Sequence, residues 1–347
     1  MASYSRLNQE DITVSTDKVV SNAWSDDTDT LSTFFTSSAQ AVYTNATSQG
    51  NFFVDIYKDN VNVTSSVPVQ FAVAYGHKAG SGSLAFTNTA GALGNSSTKV
   101  IYNQYRQLVY GDENSDFTFN GGTSNDIWVI NVARGRYKHA LKAGSLNITL
   151  ADGTNVTHLT DDSVTTTGSA TTTNLGRQFN LVSGSNGTRS GSLLTQNAGV
   201  HLMSGSYGFV YPEAGIVVLN GTALRNRTIA KWTEANSGTS NEQKADLLYT
   251  SFKNSGGAFQ VDSEEKVSSQ YMFVRVKNSE FNYSSNPSYI DTNGNLNNTT
   301  MADSPTSYIT TVGLYNDDNN LLAVAKLSQP LKKDFTTEAL VRIKLDY

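Results

Sequence analysis

Short runs of alternating apolar and polar residues, punctuated by Gly, Asn, Asp and Ser, dominate the chain and predict strands in preference to helices. Phe52–Tyr57 and Val67–Tyr75 open the series, followed by Asp126–Val132 and by Gly144–Leu150, which ends at the turn pair Asp152-Gly153. Val164–Thr167, Gln178–Val182, Gly215–Leu219 and Gln270–Val276 carry the same signal. Alternation is cleanest at the end, where Leu340, Arg342, Lys344 and Asp346 interleave with Val341, Ile343 and Leu345.

The most tightly specified local structure is Ser307–Leu331. Tyr308–Tyr315 and Leu321–Leu327 are expected as antiparallel strands turned at Asn316–Asn320, residues that tolerate left-handed angles and bond their own main chain. In the second strand Leu322, Val324 and Lys326 share one face, while Leu321, Ala323, Ala325 and Leu327 share the other. Apolar residues on both faces predict an internal hairpin buried on both. Pro330 is expected to end the strand, and Ala339–Leu345 to pair in the same sheet.

Helical spacing is confined to a few places. Asn95-Ser96-Ser97-Thr98 supplies capping residues ahead of Val100, Ile101, Tyr105, Leu108 and Val109, a stripe that stops at Gly111. Glu242–Phe252 places Ala245, Leu247, Leu248 and Phe252 on or near one face. Thr28–Tyr43 is ambiguous, because Leu31, Phe34, Phe35 and Ala39 fit a helix but the Ser/Thr load opposes one. The fold class this implies is α+β and predominantly β: multi-stranded antiparallel sheets or a sandwich, a few short helices, and a C-terminal hairpin plus final strand. Three regions are expected, residues 1–150 with a helix near 97–110, a Thr/Ser/Gly-rich β region over 151–265, and a C-terminal β-module over 266–347. No repeat period is visible.

Composition narrows the chemistry. The 347 residues carry a net charge of −5, which provides no general attraction to nucleic acid or to an anionic membrane. With no cysteine there are no disulfides, thiolate nucleophiles or sulfur-based zinc sites. The N-terminus lacks the apolar core of a signal peptide and no stretch reaches bilayer length, so the protein is expected to be made in a cytoplasm, with no membrane partner. On that expectation the Asn-x-Ser/Thr triplets at Asn45, Asn62 and Asn147 are products of an Asn- and Thr-rich composition.

No catalytic constellation emerges. His77, His139, His158 and His201 are scattered, and Asp26-Asp27, Asp161-Asp162 and Asp317-Asp318 sit in turn contexts without a calcium-loop pattern. Gly76–Ser83 imitates a phosphate loop, but its lysine precedes the Gly80/Gly82 pair, and a flexible loop is the better expectation. No Gly-x-Ser-x-Gly elbow is present. The expectation is a non-enzyme without catalytic residues, cofactor or metal.

Several blocks resemble one family, the virion structural proteins of large contractile-tailed bacteriophages, especially marine myoviruses. They are Val69–His77, Thr98–Arg106, Asn278–Pro287, the 307–331 hairpin and Leu340–Tyr347. The resemblance covers most of the chain and is weakest in the Thr/Ser-rich middle. It implies a structural part of the virion, in the tail or baseplate, present in several symmetric copies and held by other virion proteins. It brings no catalytic residues. Aromatics on a loop are frequent interface anchors, so Phe281, Tyr283, Pro287 and Tyr289, with the basic pair Arg134 and Arg136, are the candidate interface. The competing expectation is that Phe281, Tyr283 and Tyr289 plug their own domain. Alternative roles are a neck, collar or capsid-associated protein, or a receptor- or glycan-binding module that displays Trp128 and Trp232.

Overall fold

The computed structural model describes residues 4–37, 53–64, 66–80, 97–112, 114–119, 122–153, 156–164, 170–190, 207–225 and 241–346. Among them the chain is predominantly β. It begins with β1 (Ile12–Asn22), β2 (Thr30–Leu31), β3 (Val54–Tyr57) and β4 (Val69–His77). Helix α1 (Ser97–Tyr110) precedes the short pair β5 (Thr118–Phe119) and β6 (Gly122–Thr123), then β7 (Asp126–Val132) and β8 (Ala140–Leu141). Next come β9 (Asn147–Ala151), β10 (Val156–Asp161), β11 (Thr171–Thr173), β12 (Gly176–Ser185) and β13 (Thr188–Arg189). Strands β14 (Gly208–Tyr211) and β15 (Ile216–Asn220) lead into α2 (Gly221–Arg225) and α3 (Asn241–Lys253). The chain ends with β16 (Ala258–Gln260), β17 (Asp262–Val276), β18 (Ser307–Tyr315), β19 (Leu321–Lys333) and β20 (Ala339–Asp346).

Two compact units result, Val19–Glu265 on one hand and Met1–Lys18 with Lys266–Tyr347 on the other. A boundary at 150/151 falls inside the β9–β10 hairpin, where Ala151 pairs with Val156, so no division is seen there. The first 18 residues group with the C-terminal segment because β1 is hydrogen-bonded to β17.

In the 19–265 unit an antiparallel sheet runs β2-β16-β9-β10-β12-β14-β15-β7-β4-β3, with β11 and β13 attached to β12. The sheet curls until the segment after β2 meets β3, where Phe35 and Tyr57 exchange two backbone hydrogen bonds of 2.8 Å. Its middle strands, β7 and β15, are buried on both faces, which is why they read as continuous apolar runs. Trp128, Ile130, Val217 and Leu219 face the core that includes α3, whereas Ile127, Val129, Ile216 and Val218 face the core under α1. Phe71 sits at the centre of the first core, its ring 5.0 Å from Phe259 and 5.3 Å from Phe252, with Trp24 and Phe34 also against it.

Both expected helices form. In α1, however, Ile101, Tyr102 and Val109 are buried while Val100 and Leu108 are exposed. Tyr102 turns inward because its hydroxyl is satisfied there: it donates to the Ser124 carbonyl at 3.0 Å and accepts from Phe117 N at 3.2 Å. Gly111, at φ +70°, ends the helix. Of the ambiguous Thr28–Tyr43 stretch, the described part forms β2 and the Phe35 bridge, since sheet partners satisfy its backbone; residues 38–43 lie outside the described residues. Of the expected strand at 164–167, Val164 lies in a turn and 165–167 fall outside the described residues, as do the cap residues Asn95 and Ser96.

In the other unit, β18 and β19 form the expected hairpin, turned at Asn316–Asn320. The Asn316 side chain accepts from Asn320 N at 2.7 Å, and Asn319 adopts φ +61°. Three expectations fail here. The hairpin is a separate two-stranded sheet buried on one face: Val312, Leu314, Ala323, Ala325, Leu327 and Leu331 face inward, whereas Tyr315, Leu321, Leu322 and Val324 face solvent. Pro330 does not end β19, because a register irregularity between 309/331 and 311/326 absorbs it. The final strand β20 pairs with β17, from Val276↔Ala339 to Ser269↔Asp346, instead of with the hairpin. The sheet β1-β17-β20 and the hairpin enclose a small core of Met272, Val274, Val341 and Ile343 with the hairpin's inner residues.

Candidate interaction surface

A two-stranded hairpin that covers one side of a small core leaves its own outer face uncovered. On that face stand Leu322, 68% exposed, Val324, 58% exposed, and Tyr315 beside Leu321, its partner across the turn. The N-terminal segment adds Tyr4, whose ring meets Tyr315 edge-to-face at 5.2 Å. Gly313 makes room for this cluster, since a Cβ there would lie 2.9 Å from the Tyr315 ring and 3.4 Å from Leu321. Singly exposed apolar residues are normal, but a contiguous group on one sheet face marks a surface for contact.

The loop between β17 and β18 carries the aromatics singled out in the sequence. Tyr283 is 60% exposed, Phe281 and Pro287 are exposed, and Tyr289 is half-buried. The rings of Tyr283 and Tyr289 meet edge-to-face at 6.1 Å. None of the three aromatic side chains joins the apolar core of the unit. The loop is nonetheless tied down. Phe281 adopts a left-handed φ of +53°, unusual for a bulky residue, and its carbonyl accepts from Ser307 Oγ at 2.5 Å. Asn297 Nδ2 donates to the Pro287 carbonyl at 2.8 Å, and Asp291 Oδ1 accepts from the backbone of Asn293 and Asn295, both at 2.8 Å.

At the root of the loop lies Lys333, the last residue of β19 and fully buried. Its ammonium donates to the Asn278 carbonyl at 2.9 Å, Asn282 Oδ1 at 2.7 Å and the Asp334 carbonyl at 2.8 Å. All three acceptors are neutral oxygens, and together they use every proton of the group. Sequence reasoning missed this residue, for Lys332-Lys333 reads as a solvated pair; only the register of β19 turns Lys333 inward.

Arg134 and Arg136 belong to the other unit. Arg134 donates to the Tyr137 carbonyl at 2.7 Å and lies 4.6 Å from the centre of that ring, so it shapes its own short helical turn. Arg136 is half-buried in the same turn. Trp128, expected on display for a glycan, is fully buried against Tyr75 at 4.6 Å and donates its indole N–H to the Lys244 carbonyl. Trp232 and His201 lie outside the described residues.

The acidic pair Asp161-Asp162 acts as a local fastener. Asp161 and Asp162 are buried. Asp161 accepts from Gly144 N at 3.0 Å and Ser163 N at 3.1 Å, and Asp162 accepts from Asn180 N at 3.0 Å and Nδ2 at 2.8 Å. Burial pushes the Asp161 carboxyl above its ordinary pKa despite these donors. Asp334 lies in the opposite regime: the hydroxyls of Thr337 and Thr336 hold its carboxyl well below the usual range. Among the described residues no group of three or more His, Asp or Glu has the arrangement to hold a metal ion. The chain was compared with protein families, with curated proteins and with solved structures, and it matches none.

Proposed function

We propose that the protein is a structural component of a tailed-phage particle, of the tail or baseplate, that acts through protein–protein contacts and has no catalytic turnover. The observation that carries this reading is the solvent-facing apolar cluster of Tyr4, Tyr315, Leu321, Leu322 and Val324 on the outer face of the hairpin. The aromatic loop, fastened from beneath by Lys333, supplies a second one, with Tyr283 as its most exposed ring. The blocks that resemble phage virion proteins include this hairpin and this loop, and they point to the same kind of role.

The test is a side-chain-resolution map of the intact particle, together with peptide mapping of purified virions. The expected result is the chain in several symmetric copies at the tail or baseplate, with the hairpin's outer face covered by a neighbour. A chain absent from purified particles overturns the reading. Saturable binding of an isolated glycan through Tyr283 would replace it with receptor recognition.

A further inference from the structure

A strand with a free edge presents a row of unpaired N–H and C=O groups, and proteins guard such edges with charges, proline or irregularities. Among the described residues the C-terminal unit has edges of this kind on β1, β18, β19 and β20. Three carry guards. Strand β20 alternates Arg342, Lys344 and Asp346; β1 carries Asp17 and Lys18; β19 carries Lys326, Pro330 and Lys332 beside its register irregularity. Strand β18, Ser-Tyr-Ile-Thr-Thr-Val-Gly-Leu-Tyr, has nine residues with no charge and no proline, rich in β-branched and aromatic side chains.

We infer that the free edge of β18 pairs with the same edge of a second copy of this chain, antiparallel about a two-fold axis at Gly313. Antiparallel partners that lie directly opposite share a face of the sheet. From Thr311 to Tyr315 the strand alternates outward Thr311, Gly313 and Tyr315 with inward Val312 and Leu314. Pairing about Gly313 therefore sets Val312 against Leu314, Thr311 against Tyr315, and Gly313 against Gly313, every pair with matching faces. No like charges are opposed, because the strand has none. A symmetric axis also uses one patch twice, the commonest way for identical chains to associate. The result is a four-stranded sheet in which two outer faces, each with Leu322 and Val324, become continuous. Five paired residues bury little area, so the contact is weak when the chain is alone and concentration-dependent. This inference does not rest on the virion reading; the edge would pair in the same way in any assembly.

The test uses the full chain. Sedimentation should show a reversible monomer–dimer equilibrium. Thr311→Lys/Tyr315→Lys and Thr311→Glu/Tyr315→Glu each place like charges opposite one another across the axis and should each weaken association about fivefold or more. An equimolar mixture of the two should recover it as a heterodimer. The native chain has no cysteine, so Thr311→Cys/Tyr315→Cys tests the register directly. In one chain these positions are about 13 Å apart and cannot bridge, whereas across the axis they fall within disulfide reach. Mild oxidation should convert the double variant, and neither single variant, to a covalent dimer. A wild-type chain that stays monomeric at every concentration overturns the inference. So does a charge pair that fails to recover association, or single-cysteine variants that cross-link as well as the double one.

Discussion

The two units solve the burial problem in opposite ways. Residues 19–265 curl one sheet around an aromatic core, with Phe71, Phe252 and Phe259 in mutual contact, Trp24 against Phe71 and Phe259, and both central strands covered on both faces. The unit of 1–18 and 266–347 has a thin core between one sheet and one hairpin, and it leaves Tyr283, Leu322, Val324 and Leu340 to solvent. Apolar burial scales with the area removed from water, so the first unit draws more stabilisation from its interior; it too exposes Phe53, Val63 and Val156, but the smaller unit gathers several of its exposed residues on one face of a hairpin. The thick core and the open apolar face thus lie in different parts of the chain.

The sharpest way to break this contrast is Phe71→Ala. Losing the central ring should cost about 3–5 kcal/mol, read as a fall in the denaturation midpoint of the 19–265 unit. A loss under about 1 kcal/mol would mean that the core repacks and the contrast is overstated. In the thinner unit, Lys333→Met removes the donor to three oxygens, of which Asn282 Oδ1 is buried. The expected cost is about 1–3 kcal/mol, concentrated in faster amide exchange over 277–289. Uniform loosening with no focus on that loop would show that Lys333 does not fasten it.

The two units also contain carboxyl groups with opposite pH behaviour. Asp161 has a folded-state pKa above its unfolded one, so the folded chain holds that proton more tightly; its contribution is present at low pH and is lost as pH rises through the folded value. Asp334 has a lowered folded-state pKa, so its contribution is present above the unfolded value, about pH 4, and is lost as pH falls below it. Denaturation of Asp161→Asn and Asp334→Asn beside the wild type across the acidic range should show pH slopes that change in opposite directions. Slopes that change together would remove the distinction. The smallest stability effect should come from Leu322→Ser on the open face, within about 0.5 kcal/mol, and the proposed role expects incorporation into particles to drop at the same time.

The elements that could be read from sequence are those whose signal is local. Asp126–Val132 and Gly215–Leu219 announce buried strands because both of their faces are apolar, and Ala245, Leu248 and Phe252 announce α3 by their spacing. Strand β1 escaped notice because its eleven residues are mostly exposed and polar, and its place comes from hydrogen bonds to β17 some 250 positions later. Of the candidate interface, the turn-rich context of Tyr283 placed it on a loop but left open whether its ring would be exposed or would plug its own domain; the structure leaves it 60% exposed. The roles of Lys333 and Tyr4 were not legible, because each depends on a neighbour that is distant in sequence.

By itself the sequence determined the β-rich class, the two longer helices, the hairpin with its Asn-rich turn and the alternation of β20. The tertiary structure alone decided which face of the hairpin is covered, which strand β20 joins, and that Phe35 and Tyr57 draw the curled sheet together. The physical reason is one of range. Turn chemistry and periodicity act over a few residues, whereas a ladder partner and a covering layer are chosen by total burial and backbone satisfaction over the whole chain. An alternating strand states that one of its faces will be wet; it cannot state what will lie against the other.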